Sequence, residues 1–403
     1  MNGDILFLAH RTPFPPDRGD SIRSWNILNA LAQLAPVHLV TFGDASTDRA
    51  AMEAVCASVH LIGIQRSPPV AMAMAMLSGR AASVELFASA AFRAAVRDIG
   101  ARHPIAAVYA FSGQMGQYAD AFPPAARFLM DFTDVDSEKF AAYGRTKPGL
   151  AGFANRMEAR RLRAFERSVA RRADINVFVS KTEEQLFRRV MGEDRLATVT
   201  LENGVDLDRF CPGHAPLPGY EDGAPLIAFT GQMDYAPNID AVAFFASEVL
   251  PLIRDRQADA RFAIVGRAPT EAVHALARLP GVMVTGEVAD TRPWLAAAST
   301  VVAPLRIARG IQNKVLEAMA SGKAVVASPE AAEGIDACHG KEFLIAGTAA
   351  GQADAVLSLL HDRRKRMRME QAARAAMEAR YSWAAKLHLL PEIVFTGSAR
   401  IAA

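Results

Sequence analysis

The distribution of apolar residues predicts two successive series of buried strands separated by helices. Short continuous apolar runs, typical of strands covered on both faces, alternate with segments whose apolar residues recur every three to four positions. In the first series these runs are Ile5–Ala9, Val37–Phe42, His60–Ile64, Ala106–Phe111, Arg127–Phe132, Ile175–Ser180 and Thr198–Leu201. In the second they are Leu226–Gly231, Arg261–Val265, Val282–Thr285, Thr300–Ala303 and Ala324–Ala327. The alternation predicts an α/β fold with parallel sheets.

A polar stretch rich in proline and glycine, residues 213–225, separates the two series. We therefore predict a first domain over residues 1–212, a second over residues 213–380, and a closing segment over residues 381–403. A chain of 403 residues is long enough to give each domain its own core.

Composition and charge disfavour several classes of protein. The net charge of +2 argues against a dedicated nucleic-acid binder. Cys56, Cys211 and Cys338 lack the spacing of a metal site or a disulfide framework, which favours a reducing, cytoplasmic compartment. We recognise no signal peptide and no apolar run that approaches the length of a membrane span. The nine histidines form no H-E-x-x-H pattern and no G-x-G-x-x-G follows a strand, so neither a metal centre nor a dinucleotide cofactor is expected.

The most informative segment runs from Arg306 to Ser328 and predicts a helix from about residue 310 to 321, followed by a short strand. The residues on the apolar side of this helix are Ile311, Val315, Leu316 and Met319, and those on its polar side are Asn313, Lys314 and Glu317. The segment therefore combines a loop, a helix N-terminus and an acidic residue on one polar stripe.

The start of this helix is suited to bind a diphosphate and a ribose. A helix N-terminus offers unpaired N–H groups and a partial positive charge to an anion. Arg306, Arg309 and Lys314 add full positive charges that can stabilise a departing diphosphate, and Arg309 and Lys314 are our candidate catalytic residues among them. Glu317 can accept hydrogen bonds from sugar hydroxyls, and Gly310 and Ile311 complete the predicted binding residues. Spacing alone leaves open an ordinary surface helix with solvated charges.

Loops at the ends of other predicted strands add candidates, because ligands of open α/β sheets bind outside the carboxyl ends of the strands. Gly19 precedes the first helix, where it either lets the backbone approach a ligand or makes a turn. In the second domain, Gly231 with Gln232 and Gly266 with Arg267 follow strands in the same way.

Acidic residues stand at the end of the fifth predicted strand, and Asp131 and Asp134 are candidate catalytic groups there. Asp134-Val135-Asp136 also spells D-x-D, a pattern that can chelate a metal. We set the metal interpretation aside because the diphosphate-binding segment belongs to the other domain. Capping of the next helix by Asp136 or Ser137 remains the alternative.

Residues 156–172 predict a strongly basic helix. It carries seven arginines against two glutamates, with an apolar stripe at helical spacing. Such a helix can lie on an anionic membrane surface or simply present a solvated face, and both interpretations stay open.

The segment around Glu317 resembles the donor-site signature of retaining GT-B glycosyltransferases of family 4, in which two acids separated by seven residues precede A-M-A-x-G. Glu317 matches the second acid, and Arg309 stands where the family usually has the first. The string DFTDVDSEKFAAYG resembles a subgroup associated with bacterial exosortase and exopolysaccharide loci. The family often has a histidine near this strand end, where Asp131 or Asp134 stands here. Asn203-Gly204-Val205-Asp206 followed by Phe210 and Pro212 is similar to the family's interdomain connection.

The resemblance implies a GT-B architecture, two Rossmann-like domains facing a cleft, with the closing segment crossing back to the first domain. It implies transfer of a sugar from a nucleoside-diphosphate donor to a saccharide or lipid-linked acceptor, with retention of configuration and with no metal or other cofactor. A sugar-nucleotide epimerase or hydrolase on the same fold, or a non-catalytic nucleotide-sugar binding protein, is the alternative.

Overall fold

The structure, a computed structural model, describes residues 3–16, 18–44, 47–193, 195–217, 224–308 and 311–396. It divides into two compact units. The first comprises the chain up to Asn203 together with the segment from Lys386 onward, and the second is Gly204–Ala385.

The division falls earlier than the predicted boundary at residue 212, and the second unit extends past residue 380. The reason is a contact between the two ends of that unit. Val205 donates its N–H to the Tyr381 carbonyl at 2.7 Å and forms an isolated parallel bridge with Ser382. A Cβ on Gly204 would lie 2.6 Å from the Trp383 backbone, so only glycine allows this approach. Residues 204–212 and 381–385 therefore belong to the second unit.

The first unit contains a parallel sheet of seven described strands in the order β3-β2-β1-β4-β5-β6-β7. These strands are β1 (Asp4–Ala9), β2 (Val37–Phe42), β3 (Ser58–Ile62), β4 (Ile105–Phe111), β5 (Arg127–Thr133), β6 (Ile175–Phe178) and β7 (Thr198–Thr200). The residues of β1 from Ile5 to Ala9 are fully buried, as continuous apolar runs predict for a sheet covered on both faces.

The described helices of the first unit are α1 (Gly19–Ala32), α2 (Arg49–Glu53), α3 (Pro68–Ser78), α4 (Ala82–Leu86), α5 (Ala90–Arg102), α6 (Asp136–Thr146), α7 (Gly149–Ala170) and α8 (Lys181–Met191), with a 3-10 turn at Gly113–Tyr118. The last described helix of the chain, Leu390–Phe395, also belongs to this unit. There Arg127 donates from Nε to the Ile393 carbonyl at 2.8 Å, which ties the closing segment to the start of β5.

The second unit contains a parallel sheet of six described strands in the order β10-β9-β8-β11-β12-β13. These are β8 (Leu226–Thr230), β9 (Arg261–Val265), β10 (Val282–Gly286), β11 (Thr300–Ala303), β12 (Val325–Ala327) and β13 (Leu344–Ile345). The described helices are α9 (Ala236–Phe244), α10 (Leu250–Arg254), α11 (Glu271–Ala275), α12 (Arg292–Ala297), α13 (Asn313–Ala320), α14 (Pro329–Ala332), α15 (Ala349–His361), α16 (Arg363–Arg380) and α17 (Trp383–Lys386). The predicted parallel α/β architecture is confirmed, and only the two-residue edge strand β13 was not predicted.

One helical stretch, Ala236–Arg254, is long and apolar enough by length and composition alone to cross a membrane, which the sequence analysis missed. It consists of α9, a π-helical turn at Phe245–Val249 and α10. Half of it is buried, and Val242, Phe245 and Ile253 belong to the hydrophobic core of the second unit. Its apolar composition is therefore explained by packing against the sheet.

Candidate functional site

The carboxyl edge of the second sheet has a switch point between β8 and β11, its adjacent central strands. The chain leaves β8 to build one side of the sheet and returns through β11 to build the other. Loops that leave two such strands diverge, and ligands of open α/β sheets bind in the crevice between them. Gly231 and Gln232 leave β8, Arg306 lies beyond β11, and α13 follows, so the predicted binding residues collect at this edge.

The loops after β8 and β9 touch through two glycines. A Cβ on Gly266 would lie 1.6 Å from the Gly231 carbonyl oxygen, and the φ of Gly266 is 154°. No other residue fits there, because a side-chain carbon would overlap the backbone. Arg267 then donates from Nη2 to Gln232 Oε1 at 3.1 Å. The two predicted glycine loops therefore form one surface.

Asn238, on α9, connects this surface to α13 and was not predicted as a site residue. Its Nδ2 donates to the Gln232 carbonyl at 2.8 Å, and its Oδ1 accepts a hydrogen bond from Lys314 Nζ at 2.5 Å. The Lys314 ammonium also lies 4.3 Å from the centroid of the Phe229 ring, in a cation–π contact. The lysine is therefore held at the switch point. Asn238 carried no sequence signal, because it follows a proline near the start of an ordinary helix.

Glu317 lies one turn beyond Lys314 on the same stripe of α13 and is half-buried. Within the described ranges, no residue donates a hydrogen bond to its carboxylate or forms an ion pair with it. Burial raises the pKa of Glu317 to about 7, against the opposing effect of Arg209 and Lys314. Burial likewise lowers the pKa of Lys314 to about 8. Among the residues that the structure describes, the edge therefore presents a carboxyl group without a partner next to a partly desolvated lysine.

The helix itself begins later than predicted, at Asn313 rather than near residue 310, after a Gln312 N-cap whose side chain makes no capping bond. Arg309 and Gly310 lie outside the described residues. Ile311 is half-buried and packs against the core of the second unit rather than lining an open surface. Val315, Leu316 and Met319 are buried as predicted.

Arg306 is not available for a diphosphate in this conformation. Its Nε donates to Asp240 Oδ2 at 2.9 Å, and its guanidinium lies 5.2 Å from the Phe244 ring centroid. The hydrogen bond to Asp240 raises the pKa of Arg306 further above its already basic value. The charge predicted at the helix start is thus directed onto α9, and Lys314 is the described cation that faces the switch point.

In the first unit, Asp131 is fully buried and both of its oxygens are occupied. Oδ2 accepts from Arg23 Nη2 at 3.0 Å and from the Tyr109 hydroxyl at 2.7 Å, and Oδ1 accepts from the Thr133 N–H at 2.9 Å. Arg23 is also buried, and it bonds the Leu201 carbonyl at 2.7 Å. The prediction that Asp131 contacts substrate is therefore corrected, since the residue joins α1, β4 and β5 from inside.

Asp134 is exposed at the carboxyl end of β5, as predicted for a candidate catalytic group. Partial burial of its carboxyl and the neighbouring Glu183 and Asp136 carboxylates raise its pKa to about 6. Just before it, Thr133 has a φ of 66°, an uncommon left-handed conformation for a β-branched residue. Strained backbone of this kind concentrates at functional sites, so it marks this strand end as a second candidate region.

The next helix is not capped by Asp136 or Ser137, contrary to the sequence interpretation. The N-cap is Val135, whose N–H donates to Glu183 Oε2 at 2.8 Å. The Ser137 N–H donates to Glu166 Oε1 at 3.0 Å. Acids on α7 and α8 therefore satisfy the first turn of α6, a long-range arrangement that local spacing does not reveal.

Comparison with known proteins is informative for both units. Residues 224–362, which lie within the second unit, match the family model described as Glycosyl transferases group 1. The whole chain is similar to HepE of Anabaena, solved with UDP and glucose, at 16% identity and a TM-score of 0.65, over 97% of this chain and 99% of that one. The chain has the GT-B fold.

Two further structures with this fold are similar to the chain at low identity. A sucrose-phosphate synthase of Thermosynechococcus elongatus has 17% identity and a TM-score of 0.65, over 98% of this chain and 100% of that one. WaaG, a glycosyltransferase involved in lipopolysaccharide biosynthesis, has 14% identity and a TM-score of 0.61, over 98% and 100%. No match is found among curated proteins.

In the first unit, Gly19 lies in the segment after β1, where the sequence predicted that the backbone approaches a ligand. Gly19 is the first residue of α1, and a Cβ there would meet nothing within 4 Å, so the fold does not require glycine. A pair that the sequence analysis missed lies beside it. His10 Nε2 is 3.5 Å from Asp20 Oδ2, and the contact with His10 lowers the pKa of Asp20 to about 2. His10 directly follows β1 on the carboxyl edge of the sheet, a position from which it could have been inferred.

The basic helix α7 uses most of its arginines inside the first unit. Arg163 pairs with Glu138, Arg161 donates to the Ala75 carbonyl at 2.9 Å, and Arg167 donates to the Met191 carbonyl at 3.1 Å. These contacts favour structural roles for those side chains, so basic charge alone does not make α7 a membrane surface. Arg160 is exposed, and within the described ranges it forms no ion pair.

Proposed function

We propose that the protein transfers a sugar from a nucleoside-diphosphate donor. The observation that carries this proposal is the half-buried Glu317 carboxylate, which has no hydrogen-bond or ion-pair partner among the described residues and lies beside Lys314 at the β8–β11 switch point. A buried acid without a hydrogen-bond donor costs free energy, and such a cost is retained where a ligand supplies the missing donors. The two hydroxyls of a ribose supply such donors.

Lys314 is the residue that we assign to the diphosphate. It is held by Asn238 and Phe229, and the first N–H groups of α13 lie on the same end of the helix. A departing diphosphate gains negative charge in the transition state, and a positioned ammonium with helix-end N–H groups stabilises that charge. Arg306 is excluded from this role while Asp240 holds it.

Asp134 is our candidate for the acceptor side of the reaction. A carboxyl with a pKa of about 6 exchanges a proton near neutral pH, which suits a group that receives or returns the acceptor proton. We propose that transfer proceeds with retention of configuration and without an essential metal, because the diphosphate charge is met by protein groups. Turnover should then survive excess EDTA, and proton NMR of the first-formed product should give the donor's anomeric configuration.

Binding experiments test the donor site directly. Isothermal titration with UDP, GDP and the corresponding nucleosides should identify a nucleotide that binds wild type. For that nucleotide, Glu317→Gln should weaken binding by about 1.5–3 kcal/mol, the scale of hydrogen bonds to a charged group. Asp255→Asn, the loss of one exposed carboxylate elsewhere in the second unit, is the matched control. Unchanged affinity in Glu317→Gln would remove this residue from the site.

What happens to the nucleotide-sugar in the absence of an acceptor distinguishes a transferase from a hydrolase or an epimerase. Incubation of the bound nucleotide-sugar with the protein alone should leave it intact until an acceptor is added. Release of free sugar or formation of an epimer from the donor alone would contradict transfer in favour of a hydrolase or epimerase.

We further propose that the first unit docks on an anionic membrane, which would give access to a lipid-linked acceptor. The helices α3 and α7 expose large apolar side chains on one face of this unit, and Leu150 and Leu77 are 88% and 83% exposed. The other exposed apolar side chains of these two helices are Val70, Met72, Met76 and Phe153. An apolar groove of about 330 Å³ runs between the helices, lined by Met72, Met76, Phe140 and Met157. Exposed apolar surface of this extent is typical of an interaction site.

The charges around this surface favour anionic lipid as the partner. Arg145, Lys147, Arg156 and Arg160 are exposed beside the apolar residues. Glu158, the acid among them, accepts hydrogen bonds from the Ala82 and Ser83 N–H groups and faces inward. An apolar face with a basic rim is the arrangement of interfacial helices.

Flotation with anionic vesicles tests the docking surface. The double variant Leu77→Glu with Leu150→Glu should lose binding, because each buried leucine contributes about 1.5–3 kcal/mol and the new charges repel the lipid. Leu252→Glu, which changes an exposed leucine of the second unit, should float like wild type. Failure of wild type to float even at low salt would mean that the acceptor reaches the protein in solution.

A further inference from the structure

A cluster of two histidines and an aspartate lies at the amino edge of the first sheet, opposite the edge that carries the candidate sites. Asp4 opens β1, His38 is the second residue of β2, and His103 follows α5 just before β4. Because β2, β1 and β4 are neighbours in the sheet, the three residues meet although they are distant in the sequence. Neither the proposed sugar transfer nor the membrane surface uses them.

Two of the three spacings between their potential ligand atoms are close to those around a tetrahedral ion. His38 Nε2 lies 3.0 Å and His103 Nδ1 3.6 Å from the same atom, Asp4 Oδ2, and all three ligand atoms lie within 4.8 Å of one another. Bonds of about 2.0–2.2 Å to zinc place neighbouring tetrahedral ligands about 3.3 Å apart. The two measured spacings lie on either side of that value. The third spacing, between His38 Nε2 and His103 Nδ1, is at most 4.8 Å, and the exposed His103 side chain can move to shorten it.

The backbone holds two of the three residues in place. The Asp4 N–H donates to the Pro104 carbonyl at 2.9 Å, which fixes β1 against the segment that bears His103. Gly3 makes this approach possible, since a Cβ there would lie 2.6 Å from the Pro104 oxygen. The buried His38 ring is oriented by Ser58 Oγ, 2.8 Å from its Nδ1. A ring oriented through one nitrogen so that the other faces the ion is the usual state of a histidine ligand.

The contacts within the cluster leave a place for a cation. At 3.6 Å, the His103–Asp4 approach is longer than a hydrogen bond, and the His103 ring packs against the His38 ring at a tilt of 39° with centroids 4.0 Å apart. When His38 donates Nδ1–H to Ser58, the Nε2 lone pair faces the Asp4 oxygen, and a shared cation relieves that repulsion. His103 is 41% exposed, so solvent can supply a fourth ligand.

We propose that Asp4, His38 and His103 bind one divalent transition-metal ion of the zinc class. Two imidazoles with one carboxylate favour zinc over magnesium or calcium, which prefer sites made wholly of oxygen. The ion joins the starts of three adjacent strands, so its role is to stabilise the first unit. It lies at the amino edge, away from Asp134, and takes no part in sugar transfer.

Titration of the intact, EDTA-treated and dialysed protein with Zn²⁺ tests the site. Wild type should bind one ion more per chain than His103→Ala, and its melting temperature should rise with Zn²⁺ while that of the variant stays constant. His103→Ala removes an exposed side chain, so the variant should fold. Ser58→Ala, which removes only the partner that orients His38, should weaken binding 10- to 100-fold.

Background binding is controlled in two ways. His274→Ala, an exposed histidine of the second unit, should bind as much zinc as wild type. Co²⁺ distinguishes ligand types, because binding at the exposed thiol of Cys338 or at the Cys211–His214 pair adds a sulfur charge-transfer band, whereas the proposed site gives none. Equal zinc stoichiometry in wild type and His103→Ala, or no zinc bound by wild type, would overturn the proposal and leave a cluster held by hydrogen bonds alone.

Discussion

In the first unit an acid near the carboxyl end of β5, Asp131, is surrounded by donors from Arg23, Tyr109 and Thr133. In the second unit Glu317, on α13 beside the switch point, is half-buried and lacks any such donor among the described residues. Both residues were predicted to act on substrate. The tertiary structure separates them, because Asp131 has satisfied its hydrogen-bonding capacity within the unit and Glu317 has not.

The comparison shows that a buried acid has opposite effects on stability depending on whether hydrogen-bond donors surround it. An acid whose oxygens are all bonded stabilises the fold and is costly to remove. An acid that is partly desolvated without donors weakens the fold and retains the capacity to bind a ligand. Predictions on the two residues and their neighbours should therefore diverge between stability and binding.

The largest expected effect is on stability. Asp131→Ala leaves the buried Arg23 guanidinium without its counter-charge and should lower the free energy of unfolding of the first unit by about 3–5 kcal/mol. Urea denaturation followed by circular dichroism measures the change. Asp134→Ala, at an exposed position three residues on, is the control and should not lower the stability of the first unit, because a raised pKa means that the ionised carboxylate does not stabilise the fold. A loss below about 1 kcal/mol for Asp131→Ala would contradict the structural role.

The next largest expected effect is on the affinity for the charged diphosphate. Lys314→Met should weaken binding of the nucleoside diphosphate by about 1.5–3 kcal/mol while leaving nucleoside binding nearly unchanged, because the ammonium faces phosphate. Arg306→Gln should cost less than about 1 kcal/mol, because its exposed pair with Asp240 already occupies it. Isothermal titration of each of the two variants with the nucleoside diphosphate and with the nucleoside measures these changes. Equal losses of affinity for both ligands in Lys314→Met would mean that Lys314 does not contact the diphosphate.

A pH profile tests Asp134. With its pKa raised to about 6, a catalytic carboxylate there should give an activity that rises as the pH increases through 6. Asp134→Asn should remove that limb from kcat/KM and leave the donor dissociation constant unchanged. An identical limb in the variant would assign the titration to another group.

The smallest expected effect is a gain in folding stability. The native pKa of Glu317, about 7, lies above its ordinary value of 4.5, so the folded state binds more protons between those values. Its contribution to stability is present below pH 4.5 and is lost as the pH rises through 7. Glu317→Gln should therefore be slightly more stable than wild type at pH 8 and lose that advantage at pH 5. Chemical denaturation at both values measures this, and destabilisation at pH 8 would show that the carboxylate has a partner.

Most of the sheet architecture could be predicted from the chain. Runs of apolar residues located the buried strands to within two residues, because a strand covered on both faces needs apolar side chains at every position. The apolar stripe of α13 was likewise correct at Val315, Leu316 and Met319, since the helical period alone fixes which side faces the core. The sequence also placed a glycine directly after β8 and after β9, and the close contact of Gly266 with Gly231 brings these two loops into one surface.

The sequence by itself determined the parallel α/β fold, the approximate position of α13, which carries the candidate site, and the polar stripe of that helix. These features depend on local periodicity. Only the tertiary structure decided what each charge does. Asp131 is satisfied by α1 and β4, Arg306 is bound by α9, and the cluster at the amino edge gathers Asp4, His38 and His103 from three strand starts. The physical reason is that hydrogen bonds and ion pairs depend on distances in space, which strand order sets and which spacing along the chain does not encode.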